Sequence, residues 1–165
     1  MKILYHCYGG SHSSVTAAAI HLGMLPSYRV PTAKEFMQVP YFDVQLQEEH
    51  GEFKFMGQDE FENDIYIMGR RNLGPLLQPL LEGVADILAI SRSELLLVDS
   101  LPSVNNLMRI GGFLSRRMGW VLLGRPLVIL GTQAAYWDFV NVVQTVKHVK
   151  VPYHGSLGIL KGATP

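Results

Sequence analysis

The chain has 165 residues, 48% of them hydrophobic and 17% charged, with a formal net charge of zero. That length fits one domain with a real core, and that composition excludes a disordered chain. A net charge of zero removes any global attraction to nucleic acid or acidic membranes.

Lys2 to Tyr8 is a continuous apolar-aromatic run, "KILYHCY", suited to a strand covered on both faces. Gly9 to Ser14 makes a turn. Val15, Ala18, Ala19 and Leu22 then recur at the spacing of one helix face. Ser13 or Ser14 caps its start, and Gly23 and Pro26 close it. Val30 to Gln47 is less regular: Pro31-Thr32 opens a short helix through Met37, which Pro40 ends. "GEFKFMG" and "NDIYIMG" read as the two strands of a hairpin, an arm over residues 48–68 that carries many carboxylates. Leu76 to Ile90 predicts a helix with Pro75 or Pro79 in its first turn. Glu94 to Ser100 predicts a strand, and Val104 to Met118 a helix that Gly111-Gly112 weaken. Pro126 to Gly131 predicts another strand, and Tyr136 to Lys150 a helix. The tail has little pattern beyond a last short strand.

This order predicts a single α/β domain over residues 1–165. The sheet is mainly parallel, in three layers with helices on both faces, and carries the hairpin as an insertion. Ligands of such sheets bind beyond the carboxyl ends of the strands. That rule singles out the turns Gly9–Ser14, Gly69–Asn72, Asp99–Ser103 and Gly131–Ala134.

The first turn reads "YGGSHSSVT". Gly9 and Gly10 let backbone approach an anion, and the following helix start turns unpaired amides toward it. Ser11, Ser13 and Ser14 add hydroxyls. Against the pattern G-x-x-x-x-G-K-[ST], Gly9 and Thr16 match, Ser14 replaces the second glycine and Val15 replaces the lysine. The turn is thus a P-loop that has lost its charge, or an ordinary serine-capped turn. A phosphate or nucleotide ligand follows from the first reading. Asp99, ending "ELLLVDS", would then hold Mg²⁺ with Thr16; otherwise it caps the next turn. Arg70 and Arg71, directly after "IYIMG", could restore the missing positive charge or form a solvated pair. Arg109 is a further source. Arg116 and Arg117 sit late in their helix, where the dipole alone explains cations. His12, inside the turn, is the general acid/base candidate.

Cys7 invites a second comparison. Low-molecular-weight protein phosphatases carry C-x5-R-[ST] between strand and helix; here Cys7 and Ser14 are in place and Ser13 stands where the arginine belongs. Without that charge Cys7 reads as a small buried apolar residue. A metal site from His6, Cys7 and His12 is disfavoured, because adjacent strand residues face opposite ways. Tyr136, Trp137 and Phe139 could stack on a base or anchor a core. No nucleic-acid-binding motif is present.

Charge is unevenly spread. Glu35 to Asp64 holds nine acidic residues and one basic, Lys54, whereas Asp138 is the only acid after Ser100. Two solvated faces, or an acidic arm docking on a neighbour's basic face in a homo-oligomer, would both produce this. One cysteine allows no intramolecular disulfide. The start lacks the apolar region and cleavage site of a signal peptide, and no apolar run spans a bilayer, so a cytoplasmic protein without membrane contact is expected.

The blocks "MKILYHCYGGSHSSVTAAAIHLGMLP", "FKFMGQDEFENDIYIMGRRN" and "IGGFLSRRMG" resemble a bacterial family, domain of unknown function 3189, found mainly in Firmicutes. The resemblance covers most of the chain. It implies a cytoplasmic bacterial protein of about this length and brings no established activity, so it assigns no catalytic residue. The residues leave three functions open. One is binding of a phosphorylated small molecule at Gly9–Thr16, with phosphoryl transfer or hydrolysis. Another is non-catalytic assembly through the acidic hairpin. The third is a cysteine-dependent phosphatase that lacks its loop arginine.

Overall fold

Strand β1, Lys2–Cys7, is buried from its second residue to its last because both of its faces are covered. In the computed structural model, which describes residues 1–44 and 49–148 and the backbone of 159–161, it is the middle strand of five. The other strands are β2 (Lys54–Gln58), β3 (Asp64–Gly69), β4 (Leu95–Asp99) and β5 (Ile159–Lys161). The order across the sheet is β2-β3-β1-β4-β5. β1 runs parallel to β3 and β4, and β4 parallel to β5; only β2, hairpinned to β3, is antiparallel. The α/β fold read from the sequence is therefore the observed one. The hairpin packs on the main sheet, because β3 lies directly against β1. Residue 48, at its start, lies outside the described residues.

Among the described residues six α-helices accompany the sheet. They are α1 (Ser13–His21), α2 (Ala33–Gln38), α3 (Gly74–Ile87), α4 (Asn106–Gly112), α5 (Val121–Ala134) and α6 (Tyr136–His148). On one face, Ile3, Tyr5, Ile65, Ile67 and Val98 meet Val15, Ala18 and Ala19 of α1 and Phe139 and Val143 of α6. On the other face a smaller cluster joins Leu4, Met68 and Leu97 to Leu77 of α3. Strand alternation sends Ile3 and Tyr5 of β1 to the first cluster and Leu4 to the second. α2 begins as its sequence suggests: Thr32 accepts from the Glu35 amide, and the Glu35 carboxylate returns the bond to Thr32. The predicted helix Tyr136–Lys150 is observed to His148; its last two residues, and most of the tail, lie outside the described residues.

One element differs. Pro126–Gly131, expected as a strand, lies within helix α5. A short apolar run bounded by Pro and Gly does not distinguish a strand from a buried helix segment. What decides is the packing of α5 against α4. Gly111, Gly124 and Gly131 sit where a side chain could not: a Cβ on Gly111 would lie 2.6 Å from the Val128 nitrogen, and one on Gly131 2.7 Å from the Met108 nitrogen. These glycines mark the close contact of two helices, and α4 continues through a π-helical stretch, Phe113–Arg117, before the chain turns into α5.

Candidate functional site

The glycine turn leaves β1 at the carboxyl edge of the sheet, and its shape is set by few contacts. Gly10 has φ 74°, a conformation that residues with a Cβ adopt at a cost. Its amide thereby points back and donates to Cys7 Sγ at 3.0 Å. Gly69, ending β3, has no room for a side chain: a Cβ there would stand 2.6 Å from the Gly9 carbonyl oxygen. Gly9 itself is open, with nothing within 4 Å of where its Cβ would be. Ser13 and Ser14 open α1 and are buried. Ser14 Oγ lies 3.3 Å from Cys7 Sγ, and Ser13 Oγ accepts from Ser100 Oγ at 3.3 Å.

A cavity of about 640 Å³ opens over this turn. Its floor is Cys7, Tyr8, Gly9, Ser11, His12 and Ser13. Its opposite wall comes from α4 and its approach, with Leu101, Val104, Met108 and Phe113 as apolar lining. Arg71, Arg109, Arg116 and Arg117 also line it, as does His50, and among the described residues no Asp or Glu does. Among the described residues, Arg109 makes no ion pair and is exposed. Arg117 stacks over Phe113, 5.7 Å from the ring centroid. Arg116 Nε lies 3.0 Å from Asp43 Oδ1.

Asp43 is the residue that no sequence pattern singled out. Fully buried and at φ 53°, it follows the α2 helix in a segment counted only as acidic. Its amide donates to the Ser11 carbonyl at 3.0 Å. Its carboxylate accepts from Ser115 Oγ at 2.8 Å and Arg125 Nε at 2.8 Å, and it meets His12 Nε2 at 3.1 Å. Burial works against its charge, but the bonds from His12, Arg125 and Ser115 outweigh burial and hold the carboxyl well below its usual range. An ionised Asp43 can only accept, so His12 carries its proton on Nε2 and turns Nδ1 away. Asp43 thus ties the glycine turn to the α4–α5 hairpin.

The predicted residues divide into two groups. Gly9, Ser11, His12, Ser13 and Arg71 line the cavity, while Gly10 and Ser14 shape its floor from beneath. Thr16 is fully buried within α1, and its hydroxyl has no hydrogen-bond partner. Arg70 and Asp99 reach the same edge but on the α3 face. Arg70 donates to Asp99 Oδ2 at 3.0 Å and to His6 Nδ1 at 3.1 Å, and its guanidinium lies against Gly74 at the start of α3. Asp99 Oδ1 accepts from the Leu101 amide at 3.0 Å, the turn-capping role. The sheet therefore separates Asp99 from Thr16. Among the described residues no group of three His, Cys, Asp or Glu could hold a metal ion. Arg116 and Arg117, which dipole arguments account for, nevertheless line the cavity.

A family model described as a protein of unknown function, DUF3189, matches residues 2–148. The chain belongs to the DUF3189 family. No curated protein and no solved structure matches it. The region shared with DUF3189 runs from β1 to the end of α6, so the turn, the arginine-lined wall and Asp43 all lie within it. Among the described residues no helix is long and apolar enough to cross a membrane.

Proposed function

We propose that this protein binds a phosphorylated small molecule in the cavity over Gly9–Thr16. One observation carries the reading: a helix start, a glycine turn and four arginines converge on one cavity that no carboxylate lines among the described residues. The positive charge that the turn lacks comes from Arg71 and from the α4 wall. Arginine suits this work, since its planar fork matches phosphate oxygens in pairs.

Magnitudes make the binding plausible without a lysine. A helix terminus contributes about 0.3–1 kcal/mol, and up to about 2 when partly buried. Each charge-assisted hydrogen bond adds about 1.5–3 kcal/mol. A helix end and two guanidiniums together give roughly 4–7 kcal/mol, which corresponds to millimolar to micromolar dissociation constants. The apolar wall of Leu101, Val104, Met108 and Phe113 would add contact with the rest of the ligand. A nucleotide with Mg²⁺ is one such ligand, and the metal would then be held chiefly by the ligand's own phosphates, because Asp99 is bonded to Arg70. If phosphoryl transfer or hydrolysis accompanies binding, His12 is the group placed to move a proton.

The acidic hairpin supports an assembly role less well. Its carboxylates bond within the chain: Asp59 to His21, Glu60 to Lys147 and Asp64 to Lys2.

Calorimetry with phosphate, pyrophosphate and nucleotides, each with and without Mg²⁺, tests the reading. Gly9→Val should abolish binding by filling open space over the turn. Heat of binding that is absent at millimolar ligand, or unchanged in Gly9→Val, would make the turn a purely structural one.

A further inference from the structure

We propose that Cys7 is a nucleophile that accepts the phosphoryl group of a phosphate monoester bound in the cavity. The inference rests on the anion-binding reading above and adds a covalent step to it.

The sulfur is placed for this. Cys7 ends β1 at the cavity floor, below the arginine-bearing wall. Its Sγ receives the Gly10 amide at 3.0 Å and lies 3.3 Å from Ser14 Oγ. The Gly10 amide thus aims its dipole at the sulfur, and the nine-residue helix α1 starts just downstream on the same cavity floor. A cysteine that only filled a core would have no use for a glycine at positive φ that turns an amide onto its sulfur. The absence of an arginine from the turn itself weighed against such chemistry. The fold supplies that charge from other elements, as Arg71 beyond β3 and Arg109, Arg116 and Arg117 along α4.

His12 completes the set. Asp43 fixes Nε2 as the protonated nitrogen, and Nδ1 has no partner among the described residues. In the first step the Cys7 thiolate attacks phosphorus. The S–P bond forms as the ester P–O bond breaks, and the departing oxygen takes the Nδ1 proton of His12, which enters this step protonated on both nitrogens and keeps its Nε2 proton on Asp43. In the second step water attacks phosphorus and gives a proton to His12 Nδ1. The P–S bond breaks, returning the thiolate and releasing phosphate. The sum is ester plus water giving alcohol plus phosphate, with no further reactant. The arginines neutralise the non-bridging oxygens throughout.

The full-length chain would be assayed with p-nitrophenyl phosphate and with phenyl phosphate, whose leaving group is the more basic. The parent should release p-nitrophenol from the first and phenol from the second and, after rapid quench, should carry one phosphoryl group that peptide mass analysis places on Cys7. Cys7→Ser, checked for native circular dichroism, should lose turnover at least about 100-fold. His12→Asn should slow phenyl phosphate about tenfold more than p-nitrophenyl phosphate, because only the poorer leaving group needs the proton. A role for His12 in folding alone would slow both equally, and that result would overturn its part. If calorimetry shows phosphate bound while the parent neither turns over nor gains a phosphoryl group, the nucleophile is wrong and the binding reading survives. Turnover by Cys7→Ser at the parent rate overturns it as well. If phosphate does not bind, both fall.

Discussion

Two clusters stand side by side at the carboxyl edge of the sheet, built from neighbouring residues. His6, Arg70 and Asp99 form one, under α3; Cys7, Arg71 and the serines that follow form the other, beneath the cavity. In the first, every charge is answered within the protein: Arg70 holds Asp99 and His6, and Asp99 caps a turn. In the second, cations line a cavity that no carboxylate lines among the described residues, with the buried Asp43 behind His12 and Arg116. Strand alternation separates His6 from Cys7, since successive side chains face opposite ways. A self-satisfied charge cluster holds a fold together; on the reading proposed above, the cluster whose cations face a cavity serves a ligand.

The sharpest way to break this comparison is to remove Arg70. Arg70→Ala leaves Asp99 without its cation in a site where the two side chains are 9% and 15% exposed. Loss of one partner of a largely buried pair should cost about 3 kcal/mol, read as a lower urea midpoint. Anion binding in molecules that remain folded should be nearly unchanged. Strong loss of phosphate affinity with little loss of stability would mean that Arg70 belongs to the cavity after all.

The next test uses pH. Burial, partly opposed by Asp99, pushes His6 down to about 4 in the folded protein, against an unfolded value near 6.5. Below about 6.5 the unfolded chain takes up a proton that the folded chain refuses. The stabilisation from neutral His6 is therefore complete above about 6.5 and is lost as pH falls toward about 4. His21, also lowered by burial against its bond to Asp59, adds to the same slope. Denaturation midpoints between pH 7 and 4 should fall, and His6→Gln should flatten part of that fall. An unchanged slope in His6→Gln would place the titration elsewhere.

Much of this edge was legible in the sequence. The strand-turn-helix order located the turn, because glycine, serine and hydrophobic period each have a local physical cause. That Arg70 and Arg71 part to opposite faces just beyond β3 had no such local signature, because Arg71 leaves the extended backbone at φ 46°. Other features had no local signature. Asp43 matters because three elements distant in sequence bring donors to it. The α4 arginines matter because α5 is a helix, and the run around Pro126 did not say so; the glycine contacts that decide it are tertiary.

The two glycines of the turn provide a smaller and finer contrast. Gly10→Val forces a branched residue to φ 74° and should cost about 1–3 kcal/mol of stability, so its loss of binding would not by itself identify a site. Gly9→Val places its side chain in open space outside the positive-φ region, so stability should stay within about 0.5 kcal/mol while phosphate binding disappears. Thermal melts and calorimetry on the pair separate shape from ligand contact. Equal destabilisation by both would show that Gly9 too is held by the fold.

The smallest expected effect on stability is the most informative about charge. Arg109 is exposed on the cavity wall and makes no ion pair among the described residues. Its own helix loses little without it, so Arg109→Ala should change the unfolding free energy by no more than about 0.5 kcal/mol. If its guanidinium meets the ligand, one charge-assisted hydrogen bond of about 1.5 kcal/mol is lost, and phosphate affinity should fall roughly tenfold. The fall should shrink as salt rises from about 0.01 to 0.15 M, because the Debye length contracts from about 30 to 8 Å and an exposed charge is screened first. Arg70→Ala should show the reverse pattern, with a large loss of stability that depends weakly on salt. If Arg109→Ala binds phosphate like the parent at low salt, the α4 wall contributes shape without charge, and Arg71 must supply what the missing loop lysine does not.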